Sequence, residues 1–511
     1  MKPRYFSFPV LSLLLAAPPA LGANAVVGDG SPGGCSESHL DVAIATAHAG
    51  GGTITFDCGP DPIVITLTAA KTITAFVVFD GDNKVTLSGG GTTRHFVVAA
   101  AAVATMREIS LVDGIAAGGG AVVVEPGGDL ELDRAVLANN TSTASGGAVL
   151  ASGGVVHALW STFAGNCAAG DGGAIAAVGG RVDLSRTILT NNTALGHGGA
   201  LDVANTTQLA VFGSSFDHNT AGGDGGALRA TSTSGFLEVS SFVLNVAAGQ
   251  GGAVLLQTGS GVSLSRDTVA DNVAAEGGGF FIAAGSSSVQ RESTFSGNSA
   301  SDPVAKGGAI ANLGSLQLEN TTISGNSSAG SGGGVHNEGA LTLRMTTIAN
   351  NQAVAGGGVR TVGLGSTLHA RNVIWASNTA SDSGDQCSIE SGAGTDIAAS
   401  LWSGISCGEL ATNGNKPETD AQILPLGFSC PVGIPEELTR SHNLSPSSPA
   451  IDAGIPLAGG NTFMDQRGVL RPQGNGTNDM GSVEHTAGGC PWFFADGFES
   501  GNTWAWSNTV P

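Results

Sequence analysis

The sequence predicts an all-β fold: a right-handed parallel β-helix wound in coils of about 26 residues, with an N-terminal cap and a small C-terminal capping region. Three observations predict it. Glycine supplies 81 of 511 residues while charged residues make up only 12%, as expected of many short strands punctuated by glycine turns. A glycine pair and an asparagine return together at a fixed interval, which marks a stacked repeat. Apolar residues inside each repeat alternate with period two, which excludes the helical solenoids. There is no G-X-Y register for collagen, and 41% hydrophobic residues is too many for a disordered chain.

The glycine column reads GGAV at 119–122 and 146–149, GGAI at 172–175, and GGAL at 198–201 and 225–228. It continues as GGAV at 251–254, GGGF at 277–280, GGAI at 307–310, and GGGV at 332–335 and 356–359. In step with it run Asn140, Asn166, Asn192, Asn219, Asn245, Asn272, Asn298, Asn326, Asn351 and Asn378. Three residues before each stands a core residue such as Leu137, Phe163, Phe216, Ile323 or Trp375. Equivalent positions in a β-helix stack about 4.8 Å apart, so every column must be compatible with itself. Asn amides can bond the amides above and below, the core residues fill the interior, and the glycines permit turns with positive φ. In "GSLQLENTTISGN" (314–326) and "GALTLRMTTIAN" (339–350) the leucines alternate inward, and a bend resets the phase before Ile323 or Ile348. Each coil therefore holds three short sheets, and 13–14 coils make a rod of about 65 Å.

The elements follow in order. Residues 1–25 read as a signal peptide: Lys2 and Arg4 precede an apolar stretch, and small residues stand at Ala20/Gly22 and Ala23/Ala25. Residues 26–105 form the N-terminal cap and first short coils. "SHLDVAIATAHAG" (38–50) has helical spacing at Leu40, Ala43, Ile44 and Ala47, and an end cap is needed to cover strand edges and core. Residues 106–405 carry the repeats, 406–490 a C-terminal region and 491–511 a tail. No later segment is long and apolar enough for a membrane-spanning helix. In an exported chain the seven cysteines should mostly pair, and proximity suggests Cys35–Cys58, Cys387–Cys407 and Cys430–Cys490. Cys167 is left over, as a small thiol packed in the turn layer or a reactive one.

The alternation of GGA(I/V/L) with FxxN (Phe163–Asn166, Phe216–Asn219, Phe242–Asn245, Phe295–Asn298) resembles the repeats of chlamydial polymorphic outer membrane proteins over roughly residues 119–380. That resemblance implies an adhesin-like surface protein. About 106 residues follow the last coil, and they lack the alternating segments of the barrel that carries that family. "CSESHLDVAIATAHAGGGTITFDCGPDPIVIT" looks like the leader before bacterial β-helix surface proteins. "LSPSSPAIDAG" (444–454), "DQRGVLRP" (465–472) and "NDMGSVE" (478–484) resemble a choice-of-anchor Q region, which implies surface association. Asp452, Asp465, Arg467, Arg471, Asp479 and Glu484 are its charged positions. They read as an ion-paired network closing the last coil, with a calcium site at Asp452, Asp465, Asp479 and Glu484 as the other reading. The final "FFADGFESGNTWAWSN" resembles a short tail on exported gammaproteobacterial proteins.

The function classes narrow accordingly. A net charge of −21, without a basic stripe, excludes nucleic acid as a partner. Right-handed β-helices also include pectate lyases and polygalacturonases, but fold does not fix function. "GHGG" at 196–199 is the single short match to their segments, without Asn-Thr-Asp, paired Asp or Arg-Ile-Lys. The residue before each glycine pair runs Ser145, Asp171, His197, Asp224, Gln250, Glu276, Lys306, Ser331. As solvated turn residues these need no further role. Stacked, Asp171, His197 and Asp224 would form a carboxylate–imidazole–carboxylate line for cation binding or for acid/base catalysis, its outer carboxylates about 9–10 Å apart. Trp375 falls in the core column, Trp160 reads either way, and the single tyrosine, Tyr5, lies in the leader, so no extended sugar-stacking platform is expected. The sequence thus points to a secreted or cell-surface, monomeric binding or stalk module needing no cofactor. Its partners would be envelope material or an extracellular glycan or protein. The rival is a polysaccharide lyase or glycoside hydrolase on the same scaffold.

Overall fold

A computed structural model describes residues 23–403, 407, 413–428, 439–455, 464–471 and 477–485. The signal peptide, the tail and the Cys430–Cys490 pairing lie outside the described residues, apart from Ala23–Ala25 at the end of the leader. The chain winds as a parallel β-helix whose coils stack strand on strand in sheets of 27, 13 and 11 strands. One unbroken column runs Ala25, Ile54, Phe79, Met106, Leu132, Ala158, Leu184, Val211, Leu237 and Leu264. It continues through Gln290, Leu318, Leu343 and Ala370 to Ile397, fifteen coils in all. That is one or two coils more than the period alone counts, because Ala25–Gly28 and Gly52–Asp57 already pair in register. Fourteen steps of about 4.8 Å give a rod near 67 Å.

A representative coil holds Asp129–Asp133, Val136–Ala138, Thr141–Ser142 and Val149–Ser152. The first two belong to the largest sheet, which bends between them at Arg134 (φ +51°). Later coils bend at the same place, at Trp160 and Arg186. A second left-handed residue precedes each ladder asparagine; most are Gly, Asn or Asp, as at Gly165, Asn191, Asp271 and Gly297, which tolerate φ > 0, but His218, Leu244 and Ser377 take the same conformation. The glycine pair divides its duties. Gly172 takes φ +67°, whereas a Cβ on Gly173 would sit 2.0 Å from the Gly199 carbonyl of the next coil.

The asparagine column is fully bonded. Asn166 Oδ1 accepts from the backbone N–H and Nδ2 of Asn140, both at 3.0 Å, and Asn166 Nδ2 donates to Leu137 O at 2.9 Å. The pattern holds from Gly114 N, which donates to Asn140 Oδ1, to Asn378, whose Nδ2 donates to Gln386 Oε1 at 2.7 Å. A second column, not anticipated from the repeat, runs inside the bend: Ser161, Thr187, Ser214, Ser240, Asp267, Ser293, Thr321, Thr346 and Ser400 are all buried. The Ser and Asp side chains accept from the N–H one coil back, as in Thr187 N to Ser214 Oγ at 3.1 Å, whereas the Thr hydroxyls donate to carbonyls, as Thr187 Oγ1 does to Ala158 O and Ser185 O. The first Thr of each T-T-I therefore points inward.

The N-terminal end is closed, and the C-terminal region packs against the side of the rod. Helix α1, Glu37–His48, starts at Ser36 and buries Leu40, Ala43, Ile44 and Ala47 over the first coil. Glu37 pins the helix to the coil, accepting from Thr68 N and Oγ1 and from Lys71 Nζ. Burial alone would raise its carboxyl, but these bonds outweigh burial and bring it down to about 2. Disulfides join Cys35 to Cys58 and Cys387 to Cys407. The described part of the C-terminal region lies along the outer face of coils near residues 293–402. There Thr322 Oγ1 donates to Gln466 Oε1 (2.6 Å), Ser482 N donates to Thr347 Oγ1 (3.0 Å), and Asn372 Nδ2 donates to Ile455 O (2.8 Å). The second Thr of T-T-I is thus a docking contact. Among the described residues no helix is long and apolar enough to cross a membrane.

Candidate functional site

The column before the glycine pairs is built from acceptors facing the next coil. Ser145 Oγ accepts from Asp171 N, Asp171 Oδ1 from His197 N (2.8 Å), His197 Nδ1 from Asp224 N (2.9 Å), and Asp224 Oδ1 from Gln250 N (2.8 Å). Nδ1 as acceptor places the imidazole proton of His197 on Nε2. The ring lies beside Asp224 Oδ2 (3.2 Å), whereas Asp171 Oδ2 is held by Arg229 Nη2 (2.9 Å), which also donates from Nε to Asp202 (2.6 Å). The three residues are brought together as links in a backbone-capping chain.

The charged positions of the C-terminal region also spend their oxygens on one another. Asp465 accepts from Arg467 N, Nε and Nη2, from Val469 N and from Glu484 N. Glu484 Oε2 accepts from Arg471 Nη1 and Asp479 N, both at 3.0 Å, and Asp479 accepts from Asp452 N and His485 N. Among the described residues no group of three or more His, Cys, Asp or Glu side chains is placed to hold a metal ion. Cys167 is unpaired and half-buried, in an outward column between Thr141 and Thr193.

Two constellations escaped the sequence reading. Ser331 Oγ lies 2.8 Å from His336 Nδ1, and His336 Nε2 lies 3.1 Å from Glu338 Oε1, which Lys306 Nζ also contacts at 2.9 Å. The order nucleophile, base, carboxylate suits acyl transfer. Yet the N–H groups of 331–334 all donate to carbonyls of neighbouring coils, so none faces a forming oxyanion. Burial lowers the His336 imidazole, and Glu338 only partly restores it.

The second lies on the outer face of the largest sheet, where register stacks Glu131 on His157 on Asp183, each 26 residues apart. Asp183 Oδ2 is 2.8 Å from His157 Nδ1 and 2.5 Å from Arg181 Nε, but neither contact has hydrogen-bond geometry. Asp183 Oδ1 and Asp129 Oδ1 are buried without a hydrogen-bond partner in the protein. Burial pulls the His157 imidazole down, but Asp183 and Asp129 outweigh it and leave it raised; burial raises Asp129. The signal was the 26-residue spacing of three ionisable residues at the middle of a five-residue strand. It was hidden because that position varies freely elsewhere.

Residues 161–178 match the Chlamydia polymorphic membrane protein (Chlamydia_PMP) repeat. No curated protein matches the chain. Among solved structures, a crystal structure of pectate lyase Pel9A is similar at 13% identity and TM-score 0.32, over 91% of this chain and 98% of that one. The strand stacking makes the chain a parallel β-helix, residues 161–178 resemble the chlamydial repeat, and a likeness at that TM-score bears on neither substrate nor mechanism.

Proposed function

We propose that the protein is an exported, surface-associated, adhesin-like binding module without intrinsic catalysis. Its long lateral faces would meet an envelope or extracellular glycan or protein, and residues 406–490 would act as a choice-of-anchor-like region. One observation carries the reading: the turn side chains that could perform chemistry are occupied in coupling coil to coil, from Ser145 through Gln250. An open depression of 430 Å³, lined by serines such as Ser299, Ser301, Ser327 and Ser328, is a shallow surface that suits contact with a partner better than enclosure of a reacting bond.

The test uses the protein from residue 26 on acidic and neutral polysaccharides, with and without calcium, following new reducing ends and unsaturated products. The expected result is no turnover, with binding to envelope or host material unchanged by Asp171→Asn. Turnover abolished by Asp171→Asn or Asp224→Asn would instead make this a depolymerase.

A further inference from the structure

Several strand arginines face a carboxylate directly across the register. Arg107 lies 3.4 Å from Asp133, Arg229 2.6 Å from Asp202, and Arg291 3.2 Å from Glu319, each pair matched residue to residue on neighbouring coils. One match breaks that pattern. On the outer face of the largest sheet Arg344, at the end of strand Ala340–Arg344, stands directly opposite Arg371, at the end of Thr367–Arg371. No other pairing of the described strands sets two formal charges of one sign opposite each other. Like charges so placed are destabilising, and a chain with a net charge of −21 has no shortage of carboxylates to separate them.

The protein answers only one of the two charges. Arg371 Nη2 donates to Asp396 Oδ2, and its Nη1 donates to the carbonyls of Ala370 and Asp396 at 2.9 and 2.8 Å. Arg344 makes no hydrogen bond or ion pair with the described residues. Glu319, its register neighbour on the other side, is buried and turned to Arg291. With Thr342, Leu343 and His369 the two arginines line a cleft of about 300 Å³, at the lower end of the range for small-ligand sites. These groups front solvent: Arg344 and Arg371 are half-buried and His369 is exposed. A cation would be repelled here, and a neutral ligand would leave the Arg344 charge unanswered. An oxyanion takes the guanidinium fork and relieves the opposition of the two arginines. The carboxylate of a peptide side chain would fill one corner of the cleft. A sugar ring bearing an oxyanion fills more of it and brings hydroxyls to Thr342 Oγ1 and the His369 ring.

We propose that Arg344 and Arg371, with Thr342 and His369, form a subsite for one anionic sugar ring, carrying a carboxylate or a sulfate, of an extracellular glycan. The proposal deepens the binding-module reading and rests on it. Arg344 supplies the free fork that grips the oxyanion. Arg371, fixed by Asp396, supplies a second positive charge from one side. The ring hydroxyls meet Thr342 and His369, two residues before each arginine on the same strands and on the same face.

The experiment is calorimetric titration of the protein from residue 26 with tetragalacturonate as the carboxylate probe and a heparin tetrasaccharide as the sulfate probe. Cellotetraose serves as the neutral control and tetraglutamate as the acidic peptide. At least one anionic sugar is expected to bind, and more tightly than the control or the peptide; which one tells carboxylate from sulfate. Arg344→Gln should weaken it about tenfold or more, and Arg344→Lys, which keeps the charge but loses the fork, by several-fold. Without ligand, Arg344→Gln should melt at or above the parent, because it removes one of two opposed charges and breaks no bond. A lower melt would give Arg344 a structural duty and overturn the proposal. So would equal affinity in Arg344→Gln, preference for the neutral sugar or the peptide, or no binding of either anionic sugar. Capture of envelope or host material unchanged by Arg344→Gln would sink the subsite while leaving the binding module standing; release of new reducing ends or unsaturated products would sink the module as well.

Discussion

Replacing Asn219 by leucine tests whether the asparagine ladder holds the coils together. The Asn219 side chain makes four bonds: Oδ1 accepts from Asn192 N and Nδ2 at 3.0 Å, and Nδ2 donates to Leu189 O at 2.9 Å and Asn245 Oδ1 at 3.0 Å. Leucine has a similar size but removes all four. Asn192 Nδ2 keeps Phe163 O, and Asn245 Oδ1 keeps the Asn219 N–H, so those two losses are partial; with the bond lost at Leu189 O they cost about 0.5–1.5 kcal/mol each. Asn192 N–H is left buried with no acceptor, at about 1–3 kcal/mol. The whole comes to about 5 kcal/mol. Because each coil of a solenoid is stabilised chiefly by its neighbours, the damage should stay local. Amide exchange in residues 189–245 should accelerate by roughly 10³- to 10⁴-fold, at about 1.4 kcal/mol per tenfold, while coils beyond residue 300 exchange as before. Asn378→Leu, at the end of the ladder, should disturb only the last coils. Unchanged exchange across 189–245 would refute the idea that these amides couple the coils.

Three further expectations follow from buried groups. Burial depresses the His95 imidazole to about 4, with its Nε2 donating to Leu87 O and Val112 O. The unfolded state therefore binds the proton first, and stability present above pH 6.5 is lost as pH falls toward 4, by about 3 kcal/mol. His336 and His442 act in the same sense and His157 in the opposite. Chemical denaturation at pH 7 and 4.5 should show the loss, and His95→Gln should reduce it; an undiminished loss would clear His95. Asp267 sits in the inner hydroxyl column, where burial holds its carboxyl well above the usual range. Its contribution falls as pH rises above the unfolded value near 3.8, so Asp267→Ser, which restores the column's hydroxyl, should melt higher than the parent at pH 7. The gap should close near pH 3, and a lower melt at pH 7 would contradict the reading. Finally, a fluorophosphonate should not label Ser331, for want of oxyanion donors. Labelling lost in Ser331→Ala would make it a nucleophile.

What the sequence makes legible is whatever the stacking forces to repeat. Asn166 and Asn192 must be the same residue to bond each other, and Gly173 must be glycine because the Gly199 carbonyl occupies the space of a Cβ. The helical spacing of Leu40, Ala43, Ile44 and Ala47 was equally plain, because one face had to cover the first coil. The inner hydroxyl column escaped notice because Ser, Thr and Asp share its role without sharing a letter. The docking of Thr322 and Thr347 on Gln466 and Ser482 was invisible for another reason: nothing local in T-T-I announces a partner more than a hundred residues away. In the candidate site, Asp171, His197 and Asp224 were legible as a column. Their bonding direction was not, since only the coordinates put Asp171 on a backbone N–H and on Arg229.

The same logic says where function can reside in such a rod. A column that must bond its own copies above and below has spent its polar atoms, and changing one member breaks two interfaces. Outward positions in the middle of the five-residue strands make contacts of varied kind, as Thr105 does to Glu131 and His157 to Asp183, and need no identical neighbour. The series Glu131, His157, Asp183, Ala210, Phe236 changes character at every step while its backbone register never slips. A face of that kind can alter its ligand one side chain at a time without loosening the coil beneath it. The most exposed large apolar side chains of the central coils, Trp160 among them, lie at outward positions and not in the ladders.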